Sequence, residues 1–329
     1  MREINLSLSR SKSEAWEFRL FCKINMEGKM TNSEVIQIAN WKVQVSSHAE
    51  VFPKQASNKL LKIVERWEKV FPKEKTWVQK EYGVPSLVIR ADCVVSESGE
   101  LGLYETEDRP AAIGITSLIN DDFKKILQEF CAKKWPEFKV VKSASRTDND
   151  DYLWRNKLNG TSNENTLVLV RSDPKEKEFN AFQSRSVSTI KTEGCKKYGE
   201  TFGLWKKVSC DNIDSLPWNE NFVLKPLQGT NSKDITIFFA KRNRKIRGGS
   251  TKSRVIKTLQ ENKKMYLQSF ISPMQCPVLK NHLMIYRVFL GYDPAYGKFI
   301  GMGGCWNARE NYNIHGTAET VWGPVILES

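Results

Sequence analysis

VIRADCVVSESGELGLYETEDRPAAIG, residues 88–114, is the stretch whose reading decides the fold. Val88 to Val95 is an extended run, Ser98-Gly99 is a turn signal, and Leu101 to Glu107 alternates again. Together they spell a β-hairpin. Side chains two apart share a face of a strand. Arg90 and Asp92 therefore point one way, and Leu101, Leu103, Glu105 and Glu107 are expected on one face of the return strand. With a two-residue loop at Ser98-Gly99, Asp92 lies opposite Glu105 and Arg90 opposite Glu107. Like charges facing each other destabilise a sheet. An Asp/Glu/Glu cluster edged by an Arg is then either well solvated or held around a cation. Mg2+ is such a cation, taking oxygen ligands in company with substrate phosphates. An edge hairpin with a solvated acidic face is the competing reading of these residues alone.

The rest of the chain narrows the choice. Its 329 residues are 40% apolar and include 10 Trp, 9 Tyr and 16 Phe, enough for two or three packed units. No apolar run reaches the roughly 18 residues of a membrane span. The opening MREINLSLSRSKSEAWEF has no apolar signal core, so a cytoplasmic protein is expected. The seven Cys are scattered and form no CxxC pair, supporting neither a zinc site nor a disulfide framework. The net charge of +13 suits a polyanionic partner such as nucleic acid, an anionic membrane surface or a nucleoside triphosphate. A generally Lys-rich composition gives the same excess with no partner at all.

Upstream of the hairpin, Trp16 to Ile24 reads as a strand and Ser33 to Trp41 as a short helix capped by Asn32 or Ser33. Lys54 to Val70 reads as a helix between Pro53 and Pro72, with Leu60, Leu61, Val64, Trp67 and Val70 spaced near one helical turn. Downstream, Asp121 to Trp135 reads as a helix with Phe123, Ile126, Leu127, Phe130 and Cys131 on one side. Leu167 to Val170 is a buried-strand signal. The alternation from there through Val208 suggests a small α/β unit.

The second informative stretch is NFVLKPLQGTNSKDITIFFAK, residues 221–241. Phe222 to Lys225 and Ile235 to Ala240 read as strands, joined by a loop of small and polar residues from Gln228 to Asp234. Nothing bulky blocks the backbone N–H groups of such a turn from an anion. Lys225 would place an ammonium beside it; a solvated edge lysine is the alternative. The basic run KRNRKIRGG, residues 241–249, could line a triphosphate, touch nucleic acid or form a basic loop. It lacks the interleaved aromatics of a single-strand platform. Met265 to Ile271 and Leu283 to Leu290 read as strands. Arg287 stands in apolar surroundings and needs a carboxylate or phosphate partner, a structural salt bridge being the rival account. Lys298 to Met302 returns as a strand, and Gly303 to Arg309 is a tight, Gly-initiated segment carrying a second Arg. His315 reads as a structural residue sooner than a catalytic one.

These segments together resemble the ATP-grasp superfamily. The strand ending in Lys225, with Gly229, Thr230 and Ser232 after it, resembles the first half of its nucleotide site. YLQSFI resembles the strand and hinge that hold adenine, and YRVFL with GGCWNAR the strand-and-Arg segment near the phosphates. RADCVVSESGELGLYETEDRP resembles the metal hairpin, which closes an ordinary ATP-grasp chain but here comes first. That order resembles the circularly permuted branch of glutathionylspermidine-synthase-like carboxylate–amine ligases. The resemblance implies an α/β (α+β) fold: two α+β halves enclosing a nucleotide cleft, plus a small α/β domain. It divides the chain into an N-terminal segment packing on the core (1–75), a metal-hairpin half (76–142), a small substrate-side domain (143–215) and a nucleotide-binding half (216–329).

The resemblance also assigns roles. Asp92, Glu105 and Glu107 would hold Mg2+, although position 107 carries Glu where the family pattern has Asn. Arg90 would contact phosphate. Lys225 with Gly229, Thr230 and Ser232 would cover the phosphates of ATP, while Gln268, Ser269 and Phe270 would border adenine. Arg287 and Arg309, with Lys225, would be the catalytic cations. The implied partners are ATP, a carboxylate substrate (a peptide or protein carboxylate among the candidates) and an amine. The implied reaction is amide formation through an acyl phosphate. A phosphotransferase on the same site, and a basic nucleic-acid-binding protein without catalysis, are the rival readings.

Overall fold

The computed structural model describes residues 4–5, 19–20, 33–38, 41–65, 87–107, 112–134, 140–143, 166–169, 205–226, 235–241, 249–310 and 320–328. The architecture is α+β. Strands β1 (Ile4–Asn5), β2 (Arg19–Leu20), β3 (Ser33–Ile38), β4 (Trp41–Ser46) and β5 (Glu50–Phe52) precede helix α1 (Lys54–Val64). Then come β6 (Val88–Val95), β7 (Leu101–Glu107), α2 (Ile113–Ile119) and α3 (Asp121–Lys134). β8 (Val140–Ser143) and β9 (Thr166–Leu169) pair in parallel with each other. β10 (Trp205–Ser209), β11 (Phe222–Pro226) and β12 (Thr236–Phe238) lead to α4 (Lys252–Asn262) and β13 (Lys264–Ser269). β14 (Leu283–Asp293), β15 (Lys298–Arg309) and β16 (Val321–Leu327) close the chain.

Two sheets matter for the site. The larger runs β3-β4-β16-β15-β14-β6-β7, with β5 added beside β16; the smaller runs β10-β13-β11-β12. Segment 216–329 is thus shared between them, because β14, β15 and β16 lie beside the β6–β7 hairpin while β11, β12 and β13 form the small sheet. β10, inside the segment 143–215, also pairs with β13 of the small sheet. Two apolar cores follow. One gathers around Trp306, Trp322, Tyr286 and Phe289; the other gathers Val208, Phe222, Leu224, Val255 and Met265.

The helix expected over Ser33 to Trp41 is instead the start of a β3–β4 hairpin. The reason is the partner strand: in β4, Val43 and Val45 are buried while Gln44 between them is exposed, and β3 pairs with it along its whole length. Helix α1 follows Pro53 and buries Ala56, Leu60 and Val64, four apart, as one stripe; residues 66–70 of the expected helix lie outside the described residues. Ala112 onward, read from sequence only as small and apolar, forms α2. The segment from Gly303 to Arg309 is no tight turn but the second half of β15. A bulge between Phe289 and Leu290 absorbs the irregularity, and Gly303 takes a φ of 90° there. Asn120, buried between α2 and α3, ties this region together. Its Nδ2 donates to the carbonyls of Gly304 and Val325, each at 2.9 Å, and its Oδ1 accepts from Phe123 N.

The two faces of the large sheet differ in character. Tyr286, Val288, Cys93, Ala91 and Trp306 lie on the face with Phe52, which meets Tyr286 edge-on at 5.1 Å between ring centroids. The other face carries a row Pro324–Cys305–Arg287–Asp92–Glu105 across five strands. The next row on one side is Phe289–Arg90–Glu107; on the other it is Trp322–Asn307–Ile285. Charge is thus concentrated on one side of the sheet, and much of it is buried.

Candidate functional site

The hairpin register matches the expectation, with Asp92 opposite Glu105 and Arg90 opposite Glu107. The route to it differs. Near the turn Val95 faces Leu101 and Cys93 faces Leu103, and a shift between Asp92 and Cys93 makes up one residue. This bulge corrects the expected single face. Leu101 and Leu103 join Cys93 and Val95 in the apolar core, while Glu105 and Glu107 join Asp92 on the charged side. The irregularity solves a sorting problem that strict alternation would have lost.

Arg90 sits at the centre of the acids. Its Nε donates to Asp92 Oδ1 at 2.6 Å and its Nη2 to Oδ2 at 3.0 Å, while Nη1 lies 3.0 Å from Glu107 Oε2. Burial works against the charged guanidinium, but Asp92 and Glu107 outweigh it and push Arg90 further above its ordinary value. Arg90 is therefore held by two carboxylates rather than presented to solvent. Arg287 Nε lies 3.9 Å from Asp92 Oδ2, and its guanidinium carbon stands 5.0 Å from the centre of the Trp322 ring. The lone arginine does have a carboxylate nearby, stretched beyond hydrogen-bond length, and a π face behind it. Arg309 lies on the same face, further along β15, and is buried. Cys305, opposite Arg287, is a buried thiol whose pKa is pushed up to about 11, chiefly by burial, with Arg287 acting in the opposite direction.

Lys225 comes from the other sheet. Its Nζ donates to the carbonyl of Tyr104 at 2.6 Å and stands 4.7 Å from the Trp205 ring centre. Tyr104 precedes Glu105, so the small sheet meets the backbone of the acidic hairpin one residue from Glu105. Two further bonds hold the approach. Gln268 Nε2 donates to Leu103 O at 2.7 Å, and Tyr104 Oη donates to Ile271 O at 2.8 Å. The lysine and glutamine bonds end on carbonyls of β7, the strand that ends the large sheet. Ser269 is exposed and Phe270 packs edge-on against Phe239. Gly229, Thr230, Ser232, His315 and the basic run from Arg242 to Gly248 lie outside the described residues.

A magnesium ion has to be tested against this geometry. Among the described residues no group of three or more His, Cys, Asp or Glu side chains is gathered closely enough to hold a metal. The donor chemistry nonetheless suits a hard cation, because Asp92, Glu105 and Glu107 share one face and Glu105 is only partly buried. Each carboxylate oxygen has two lone pairs, so the Arg90 hydrogen bonds leave capacity for a ligand bond.

Sequence reasoning missed Tyr104, Trp205, Asn307 and Trp322. Tyr104 lies in the stretch 88–114 and Asn307 in GGCWNAR, but nothing in their spacing distinguishes them. Among the described residues no helix is long and apolar enough to cross a membrane, and Cys93, Cys210, Cys276 and Cys305 are free.

No protein-family model matches the chain, and no curated protein sequence matches it. Among solved structures it is similar to a protein of Methylobacillus flagellatus KT provisionally named gamma-glutamylcysteine synthetase. The two share 12% identity over 82% of this chain and 87% of the other, with a TM-score of 0.42. A likeness of that size identifies neither an activity nor a substrate.

Proposed function

We propose that this chain is an ATP-dependent carboxylate–amine ligase of the ATP-grasp kind, with the motif order circularly permuted, working in the cytoplasm. The observation that carries the reading is the 2.6 Å bond from Lys225 Nζ to the carbonyl beside Glu105. It supports the reading by joining a lysine of one hairpin to the backbone of another, remote in sequence, one residue from Glu105. Arg287, next to Asp92, extends the charged row toward Arg309.

In this reading Lys225 and the loop 229–232 hold the phosphates of ATP, and Gln268, Ser269 and Phe270 border the adenine. Asp92, Glu105 and Glu107 share one face without forming a ligand cluster and would have to draw together to hold Mg2+, which when bound neutralises phosphate charge. Arg90 orients Asp92 and Glu107 from between them. A substrate carboxylate attacks the γ-phosphate, releasing ADP and forming an acyl phosphate. An amine then displaces phosphate to leave the amide. Arg287 and Arg309 stabilise the negative charge that builds on the transferring group. Catalysis is positioning and electrostatics, with no protein nucleophile.

The double variant Asp92→Asn with Glu105→Gln tests this. ATP turnover in the presence of a carboxylate and an amine pool should fall to background, read as ADP and free phosphate. Turnover that survives both changes removes the site. ADP formed without free phosphate makes the protein a phosphotransferase instead.

A further inference from the structure

The positive charge of the chain is unevenly placed. Residues 205–270 are a fifth of the sequence, yet they carry 14 Lys and Arg against 5 Asp and Glu, a net +9 of the total +13. A composition merely rich in lysine would spread its excess. From Lys241 to Lys264 the bias is steeper, ten Lys and Arg to a single acid, Glu261. The ligase reading uses none of these ten. Helix α4 gives the bias a surface. Its buried side is Val255, Thr258 and Leu259, and Val255 and Leu259 pack in the small core with Leu224. Its exposed residues are Lys252, Ser253, Arg254, Lys257, Gln260 and Glu261, and Lys263 is exposed just beyond its end. Lys225, next to Leu224 on β11, points to the opposite face of the small sheet. The sheet therefore stands between this surface and the proposed nucleotide site. The acid on the surface, Glu261, lies 3.7 Å from Lys257. Lys252 and Arg254 fall in the first turn, which has no acid. Cations there face the positive end of the helix dipole, so helix stability does not explain them. Ser250 N donates to Ile237 O at 2.7 Å, so the chain that leaves β12 through the exposed Lys241 returns to β12 just before α4 begins.

We propose that the outer side of α4, with Lys241 and Lys263 at its ends, is a docking surface for nucleic acid gripped by its phosphate backbone. From Lys252 to Lys263 the helix runs about 16 Å. A duplex carries one charge per ~1.7 Å of axis, so that length faces roughly ten phosphates, far more than a single nucleotide offers. An anionic membrane is the poorer fit. A helix lying on lipid buries an apolar face, and the exposed side of α4 has no apolar residue. α4 also contains no aromatic residue for a base to stack on. Binding is therefore to the backbone and indifferent to base sequence.

The test uses the full chain, and its outcome is independent of the ligase reading. Fluorescently labelled duplex DNA, duplex RNA and single-stranded RNA are titrated by anisotropy from about 50 to about 200 mM NaCl, beside phosphatidylserine vesicles. At least one nucleic acid should bind with a Kd of about 100 µM or tighter, and log K should fall linearly with log salt. Arg254→Gln with Lys257→Gln and Lys263→Gln should weaken binding roughly tenfold or more and flatten that slope by about 2–3. Lys59→Gln with Lys62→Gln and Lys125→Gln removes the same charge from exposed sites on α1 and α3, and should leave the slope as it was. Failure of all three nucleic acids to bind overturns the proposal, as does tighter binding to the vesicles. So does a slope that the α4 variant leaves unchanged, or one that both variants flatten alike, which would make the effect one of net charge alone.

Discussion

The two sheets bury themselves by different means. The small sheet turns Val208, Phe222, Leu224 and Met265 into its core with α4, and shows Trp205, Lys225 and Gln268 on its other side. That other side also holds Val223 and Tyr266, and Trp205, Val223, Tyr266 and Gln268 are all buried. The large sheet is buried on both faces around β6 and β14, every residue of β6 being buried. Its second face holds Arg90, Asp92, Glu107 and Arg287 out of water. The contrast teaches that charge can be buried in a sheet where the charges compensate each other across neighbouring strands. The small sheet has no such need.

The comparison breaks first at Arg90. Arg90→Met leaves Asp92 and Glu107 buried without their cation and should cost about 3–5 kcal/mol. Chemical denaturation should show that loss, and adding Asp92→Asn with Glu107→Gln should restore most of it. A small effect for Arg90→Met alone would mean that this buried charge is already balanced by something else. Leu224→Ala sharpens the other side. It opens a cavity in the small core and should cost about 3 kcal/mol. Hydrogen exchange should accelerate in β11 and β13 but not in β14, if the cores unfold as separate units. The smallest effect is set by pH. Cys305 keeps its proton in the folded state to about 11, above its ordinary value near 9. Between those values the unfolded thiol has lost its proton and the folded one has not. The native state is then stabilised fully below pH 9 and progressively less on the way to 11. That change is worth at most roughly 2–3 kcal/mol. Cys305→Ala should flatten this part of the stability curve in melts taken from pH 8 to 11.

Much of this was legible in the residues, for identifiable reasons. The pairing of Asp92 with Glu105 could be read because the turn and the bulge shift the register by compensating amounts. The same bulge hid the separation of Leu103 from Glu105, since no residue type announces it. Arg287 was legible as a cation needing a carboxylate or a phosphate, and Asp92 lies near it. The partner's identity depended on strand order, which spacing does not reveal. Ser33 to Trp41 was misread because that window holds β3 alone, while the strand that pairs with it begins only at Trp41. Asn307 was invisible because an asparagine two residues before an arginine looks like any polar strand residue. Its interest comes once the sheet is assembled, when its buried amide has no hydrogen-bond partner among the described residues.

The side chains that reach the rim of β7 have a further consequence. Lys225 and Gln268 occupy carbonyls that an outermost strand would otherwise hold out to passing molecules. An open rim of this kind invites a second copy to add itself, the first step toward aggregation. The contacts that draw the lysine toward the acids therefore also act as a guard on colloidal stability. Any motion that swings the small sheet aside would expose the rim for as long as it lasts.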